Sequence, residues 1–313
     1  MKRFGLADLN PPPGTRAAGW YAVAPDIGFP MWICRGNRPG PSLLLTAGVH
    51  GDEYEGPSAL QALYQKLEPA RIRGRVTAIP VVHWLAWQQR ARTDTAHGLD
   101  LNRCFRSGSP SGQHAVDLLI ETILSKFIAA TDVVMDFHSG GLRLRHLPLA
   151  GWYGLKPNSE GEEIARRFHS NFHPWRVPDA DGVLTHEAHR LGKLSVGFEW
   201  GGGGSLDLSG SSAIVIGIQR VMHYLQMLEG GSELIERDAR PAIAGDYQTV
   251  THEGFFHPAT TLGQMVEKGQ ILGELFGFEG GAVHPVRAET SGQLAGIAHL
   301  PWLHCGDRVA YIG

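Results

Sequence analysis

Apolar positions along the chain follow two rhythms. Continuous runs stop at a polar group: Pro41-Ser-Leu-Leu-Leu-Thr-Ala-Gly-Val49 runs into His50, Thr131-Asp-Val-Val-Met-Asp-Phe137 into His138, and residues 193–198 into Glu199. Runs of this kind predict strands buried on both faces, and residues 74–82 predict one more. Elsewhere apolar side chains return every three or four residues. This predicts helices over 55–67 (Leu60, Leu63, Leu67, with Pro57 tolerated in the first turn), 113–130 (Val116, Leu119, Ile120, Ile123, Leu124, Phe127), 160–172 and 211–228. Strands alternating with helices imply an α/β fold: a mixed, largely parallel sheet with helices on both faces.

The rhythm changes near residue 240. Beyond Gly245 the chain shows only short β-type runs between glycines, at 269–273, 283–288, 292–297 and 306–312. We therefore expect a catalytic domain over 1–240 and a small all-β, barrel-like domain over 241–313, joined through 229–233 and 237–241. Residues 178–192 carry no clear period and are expected to form a mobile loop.

Composition narrows the function classes. Hydrophobic residues at 42% and charged residues at 19% describe an ordinary globular mixture. A net charge of −3 without a basic run argues against nucleic acid or an anionic membrane as partner. The N-terminus has no apolar signal-type core, no stretch is long enough to span a bilayer, and the 3 cysteines are far apart. These features suit a reducing cytoplasm. The sequence leaves homo-oligomer formation open.

The polar groups at the strand ends carry the chemistry. Ligands in open parallel sheets bind beyond the carboxyl ends of the strands, so His50, His138 and Glu199 can converge there. His50-Gly-Asp-Glu53 sets an imidazole and a carboxylate three residues apart, and His138 would complete a His-His-Glu set with a coordination position open to water, as in hydrolytic zinc sites. One such ion per chain would let water ionise near pH ~7. With 16 histidines present, one His-x-x-Glu pair alone is weak; His83, His97, His146, His186 and His252 are taken as structural or solvated. In Leu99-Asp-Leu-Asn-Arg-Cys-Phe105, Asn102 and Arg103 are polar between apolar neighbours, suited either to binding a carboxylate or to a surface ion pair.

Four motifs in order, Gly48-Val-His-Gly-Asp-Glu53, Asp100-Leu-Asn-Arg103, Asp136-Phe-His-Ser-Gly-Gly141 and Phe198-Glu-Trp-Gly-Gly202, resemble the succinylglutamate desuccinylase/aspartoacylase family, relatives of the zinc carboxypeptidases. The resemblance spans about residues 40 to 205 and implies a carboxypeptidase-like fold. It implies His50, Glu53 and His138 as zinc ligands, Glu199 as general base and acid, and Asn102 with Arg103 as a clamp for a substrate carboxylate. It also implies an upstream arginine that polarises the scissile carbonyl; Arg92 is the best match, with Arg90 close by. His83 and Arg106 depart from the family pattern, where asparagine and proline are common, and Arg143 and Arg145 follow the His138 motif. The expected activity is hydrolysis of the amide bond of a small N-acyl amino acid or related carboxylate-bearing amide. A metallocarboxypeptidase acting on short peptides is the first alternative.

The C-terminal runs resemble biotinyl/lipoyl modules, which supplies a second alternative, a non-enzymatic binding or carrier protein. Residues 276–285 contain no lysine, and Lys268 lies in an earlier turn, which argues against a carrier. The domain is instead expected to narrow the cleft, with Glu253, Phe255 and Phe256 reaching into it.

Overall fold

The computed structural model of the chain describes residues 3–4, 6–96, 98–106, 114–229, 236–278, 280 and 283–313. His97, Gln113 and part of the expected joint, 230–233, lie outside them. The chain opens with β1 (Arg3–Phe4), β2 (Thr15–Ala24), β3 (Ile27–Arg35) and β4 (Arg38–Ala47). It continues through α1 (Glu55–Lys66), β5 (Arg73–Ile79), α2 (Trp84–Gln89), α3 (His114–Thr122), β6 (Val133–His138) and β7 (Leu144–Trp152). Next come α4 (Glu160–Arg167), β8 (His173–Arg176), α5 (Leu184–Arg190), β9 (Leu194–Gly202) and α6 (Leu208–Tyr224). Short strands complete it: β10 (Asp246–Thr249), β11 (Gly254–Pro258), β12 (Met265–Val266), β13 (Ile271–Phe276), β14 (His284–Arg287), β15 (Gly292–Ala298), β16 (Trp302–Leu303) and β17 (Arg308–Ile312).

One 13-stranded sheet dominates, in the order β1-β2-β3-β5-β4-β6-β9-β7-β15-β17-β10 along its main path. Its centre, β5-β4-β6-β9, is parallel, as the buried runs require. The flanks are not. β2 and β3 form an antiparallel hairpin whose second strand pairs antiparallel with β5, and β7 runs antiparallel to β9. The sheet is therefore mixed, with parallel pairing concentrated at its centre. The reason is chain length between strands: a parallel return needs a crossover of about a dozen residues or more, and β6 reaches β7 through residues 139–143 alone.

Helices cover both faces. On one side α1, α4 and α6 press Leu60, Leu63, Ile164, Ile218 and Met222 onto Leu43, Leu45, Phe137 and Phe198. On the other, α3 and the segment after it bury Leu119, Ile123 and Phe127 against Phe29, Leu44 and Val134. Phe137 and Phe198 are register partners on β6 and β9 and stack at 4.8 Å, with Phe168 of the α4 side 4.1 Å from Phe198. Aromatic pairs of this kind add about 0.5–1.5 kcal/mol beyond area burial, so the two strands that carry site residues are fixed by their opposite faces.

Several boundaries move from expectation. The periodic stretch 113–130 splits into α3 and a π-helical segment, Ile123–Ile128. The helix expected over 160–172 stops at Arg167, because residues 173–176 pair with β7 as β8. Residues 178–192, expected to form a loop throughout, contain α5, which buries Leu184, His186 and Ala188. β9 continues past residue 198, so Glu199 lies within the strand.

The described residues of 241–313 form strands and no helix, as expected, but do not close on themselves. β14-β13-β11-β16 form an open four-stranded antiparallel sheet, while β15, β17 and β10 extend the main sheet, through pairing of β15 with β7. Among the described residues no helix is long and apolar enough to cross a membrane.

Candidate active site

The carboxyl ends of the central strands open into a cleft with a cavity of about 150 Å³, lined among others by His50, Glu53, Arg92, Asn102, Arg103, His138 and Glu199. Strand geometry accounts for much of this convergence. Asp136 and His138 are two apart on β6 and so share a face, and the register sets Thr46 of β4 beside Asp136 and Glu199 of β9 beside His138. His50 and Glu53 follow in the connection from β4 to α1.

His50, Glu53 and His138 are buried, and each offers one ligand atom within 4.8 Å of the others. Nδ1 of His50 lies 2.7 Å from Glu53 Oε1, and Nδ1 of His138 lies 2.9 Å from Oε2 of the same carboxylate. Each ring is held from behind. His50 Nε2 is 3.0 Å from Asp100 Oδ1, and His138 Nε2 is 2.7 Å from Asp136 Oδ2; Asp136 accepts from the Thr46 hydroxyl at 2.7 Å.

Electrostatics follow from this packing. Burial alone would raise the Glu53 carboxyl, but the two imidazoles outweigh it and hold Glu53 well below the ordinary range. For His138 burial works downward, and the charges of Asp136 and Glu53 reverse it, raising the imidazole well above its ordinary value. Asp100 is likewise held low against its burial by the His50 bond and the Arg92 charge. Three carboxylates thus surround two imidazoles, and the Nδ1 atoms of both rings converge on the Glu53 carboxylate. That donor set suits a divalent cation such as zinc.

The remaining expected residues also line the cleft. Arg92 forks onto Asp100 Oδ2 through Nε at 3.1 Å and Nη2 at 2.8 Å, with Nη1 3.7 Å from Glu53. Arg90, its close competitor, adopts a left-handed backbone at the end of α2 and is absent from the lining. Asn102 is fixed by its own Oδ1, which accepts the backbone N–H of Leu184 at 2.9 Å. Arg103 stands at the exposed edge and donates to the Asn102 carbonyl. The glycines at 201–204 all have positive φ, which lets the chain bend away at the end of β9, a few residues beyond Glu199.

Other expectations need correction. His146, taken as structural or solvated, lines the cleft, with Nδ1 3.3 Å from Glu199 Oε2. Two C-terminal residues without an expected role, Tyr247 and Arg308, line it as well. Glu253, Phe255 and Phe256 do not: Glu253 faces His304, Phe255 packs on Phe278 and Trp302, and Phe256 is buried in the C-terminal core. β11, which carries Phe255 and Phe256, belongs to the separate four-stranded sheet, whereas β10 and β17 belong to the main one. Arg143 and Arg145 are exposed and outside the lining. Of the other histidines set aside, the described ones remain apart from it: His83 is bonded to Asp94, His186 packs on Tyr153, and His252 stacks on His284.

This fold and cleft agree with what the chain resembles. Residues 39–225 match the succinylglutamate desuccinylase/aspartoacylase catalytic domain, and the chain belongs to that family. Among individual proteins, it is 30% identical over 316 residues to an N-alpha-acetyl-L-2,4-diaminobutyric acid deacetylase from Halomonas elongata, an alignment covering 97% of this chain and 90% of the relative. A succinylglutamate desuccinylase/aspartoacylase structure from Rhodobacter sphaeroides superimposes with a TM-score of 0.83 at 27% identity, covering 95% of this chain and 94% of that one. The product-bound ectoine utilization protein from Ruegeria pomeroyi superimposes with a TM-score of 0.82 at 26% identity, covering 92% and 89%.

Proposed function

We propose that the chain is a zinc-dependent deacylase that hydrolyses the amide bond of a small N-acyl amino acid, releasing a carboxylate and an amine. The observation that carries this reading is the meeting of His50, Glu53 and His138 in one cleft with Glu199, Arg92, Asn102 and Arg103. His50, Glu53 and His138 would hold the zinc, whose Lewis acidity makes water acidic enough to attack near neutral pH.

The chain's own groups supply the rest. Glu199 takes a proton from the attacking water and returns it to the departing amine, so that neither a hydroxide nor an amide anion has to be released. Arg92 keeps its guanidinium fixed on Asp100 and stabilises the oxygen of the carbonyl as negative charge develops there. Asn102 and Arg103 bind the substrate carboxylate, the arginine through paired charged hydrogen bonds. Tyr247 and Arg308, from the C-terminal strands, bound the cleft and favour small substrates over long peptides.

A panel of N-acyl amino acids assayed beside short peptides tests the reading, with N-α-acetyl-2,4-diaminobutyrate first because a relative bears its name. We expect release of free amino acid from the acylated substrates, loss of activity with a chelator and recovery with zinc. Cleavage of peptides alone would replace this reading with a carboxypeptidase.

A further inference from the structure

We propose that His146 and Tyr247 form a positioning pair that aims the Glu199 carboxylate, so that the C-terminal strands are part of the catalytic apparatus. The inference rests on Glu199 as the proton carrier. Glu199 sits on β9, and its Oε2 lies 3.3 Å from Nδ1 of His146 on the neighbouring β7. On the far side of the ring, Nε2 lies 3.1 Å from the hydroxyl of Tyr247, which β10 brings in from 101 residues away.

The direction of both hydrogen bonds follows from chemistry. A neutral imidazole has one donor and one acceptor nitrogen, and the bond made by one decides the proton on the other. Burial, reinforced by the charge of Glu199, pushes the Tyr247 phenol well above its ordinary value. Tyr247 keeps its proton and donates to Nε2, Nδ1 is left carrying the hydrogen, and that N–H donates to Glu199. With Oε2 held this way, Oε1 is the atom left to exchange a proton with water and amine.

The surroundings are built for the ring. Its side chain is only 4% exposed. The register of β15 on β7 places Gly296 opposite His146, and a Cβ on Gly296 would lie 2.6 Å from Cδ2 and 3.1 Å from Nε2. A side chain there would displace the imidazole. Arg308 of β17 sets its guanidinium 3.9 Å from the centroid of the Tyr247 ring, a cation–π contact that restrains the phenol as well.

Nitrogen-15 NMR of histidine-labelled protein, with steady-state kinetics on an acylated amino acid, tests the pair. The His146 resonances, identified by their loss in His146→Asn, should show the Nδ1–H tautomer, and Tyr247→Phe should convert them to a mixture. Tyr247→Phe should lower kcat about tenfold, the scale of one hydrogen bond, with KM and metal content unchanged. His146→Asn removes the ring through which Tyr247 reaches Glu199, so it should lower kcat at least as much with metal content unchanged, and make Tyr247→Phe silent in its background. An unchanged spectrum and kcat in Tyr247→Phe, or effects of the two substitutions that multiply, would overturn the proposal. If the unaltered protein proved inactive on every acylated substrate, the functional reading would fall, while the tautomer measurement would still decide whether the pair exists.

Discussion

Both ring nitrogens of His50 and of His138 are engaged, Nδ1 with Glu53 and Nε2 with Asp100 or Asp136. Carboxylates placed behind imidazoles fix the ring and raise its basicity as a ligand. Glu199 stands outside that trio, and its loss should separate binding from chemistry. Glu199→Gln should keep its metal and lose about 10²–10⁴-fold in kcat, read by elemental analysis beside kinetics; most of the activity surviving would assign the proton transfer elsewhere. At this scale His50, Glu53, His138 and Glu199 were legible because each follows or ends an apolar run, and Asn102 and Arg103 because they are polar between apolar neighbours. His146 was not. It is one of 16 histidines, and what distinguishes it is contact with Glu199, 53 residues on, and Tyr247, 101 residues on. No local spacing encodes such pairings.

Among the elements, β6 shows how a strand does two tasks by alternation. Phe137 turns into the aromatic cluster with Phe168 and Phe198, while Asp136 and His138 turn to the opposite face beside Thr46. Asp136 is fully buried and spends its two oxygens on Thr46 and His138. Asp136→Asn should therefore leave the strand in place and weaken metal binding by about 10–100-fold, measured by competition with a chromophoric chelator. Unchanged affinity would mean that the carboxylate does not orient His138. The central strands and the larger helices were readable from hydrophobic period, with ends shifted by a few residues. Residues 178–192 were misread because α5 is short and buries His186 and Thr185 along with Leu184 and Ala188, so its buried face carries no clean apolar stripe. The antiparallel flanks were invisible for a different reason: strand direction depends on connection length and on pairing partners, and hydrophobic period reports neither.

For the molecule as a whole, the C-terminal segment is woven into the sheet that carries the site. β15 pairs with β7, and β10 and β17 bring Tyr247 and Arg308 to the cleft. The change of texture near residue 240 announced an all-β segment, and the absence of lysine in 276–285 argued against a carrier. The division of that segment between an open sheet and the main sheet was not readable, because short glycine-bounded strands carry little register information. Which C-terminal side chains reach the cleft follows from that division, so Tyr247 and Arg308 were missed in favour of residues on the wrong sheet. The proposed function requires that His50, Glu53 and His138 close around one zinc ion. Elemental analysis of the purified chain and of His138→Ala, each equilibrated with zinc and freed of excess, tests it most directly. About one zinc per chain in the unaltered protein, with loss in the variant, is the predicted result; equal zinc content in both would contradict the claim.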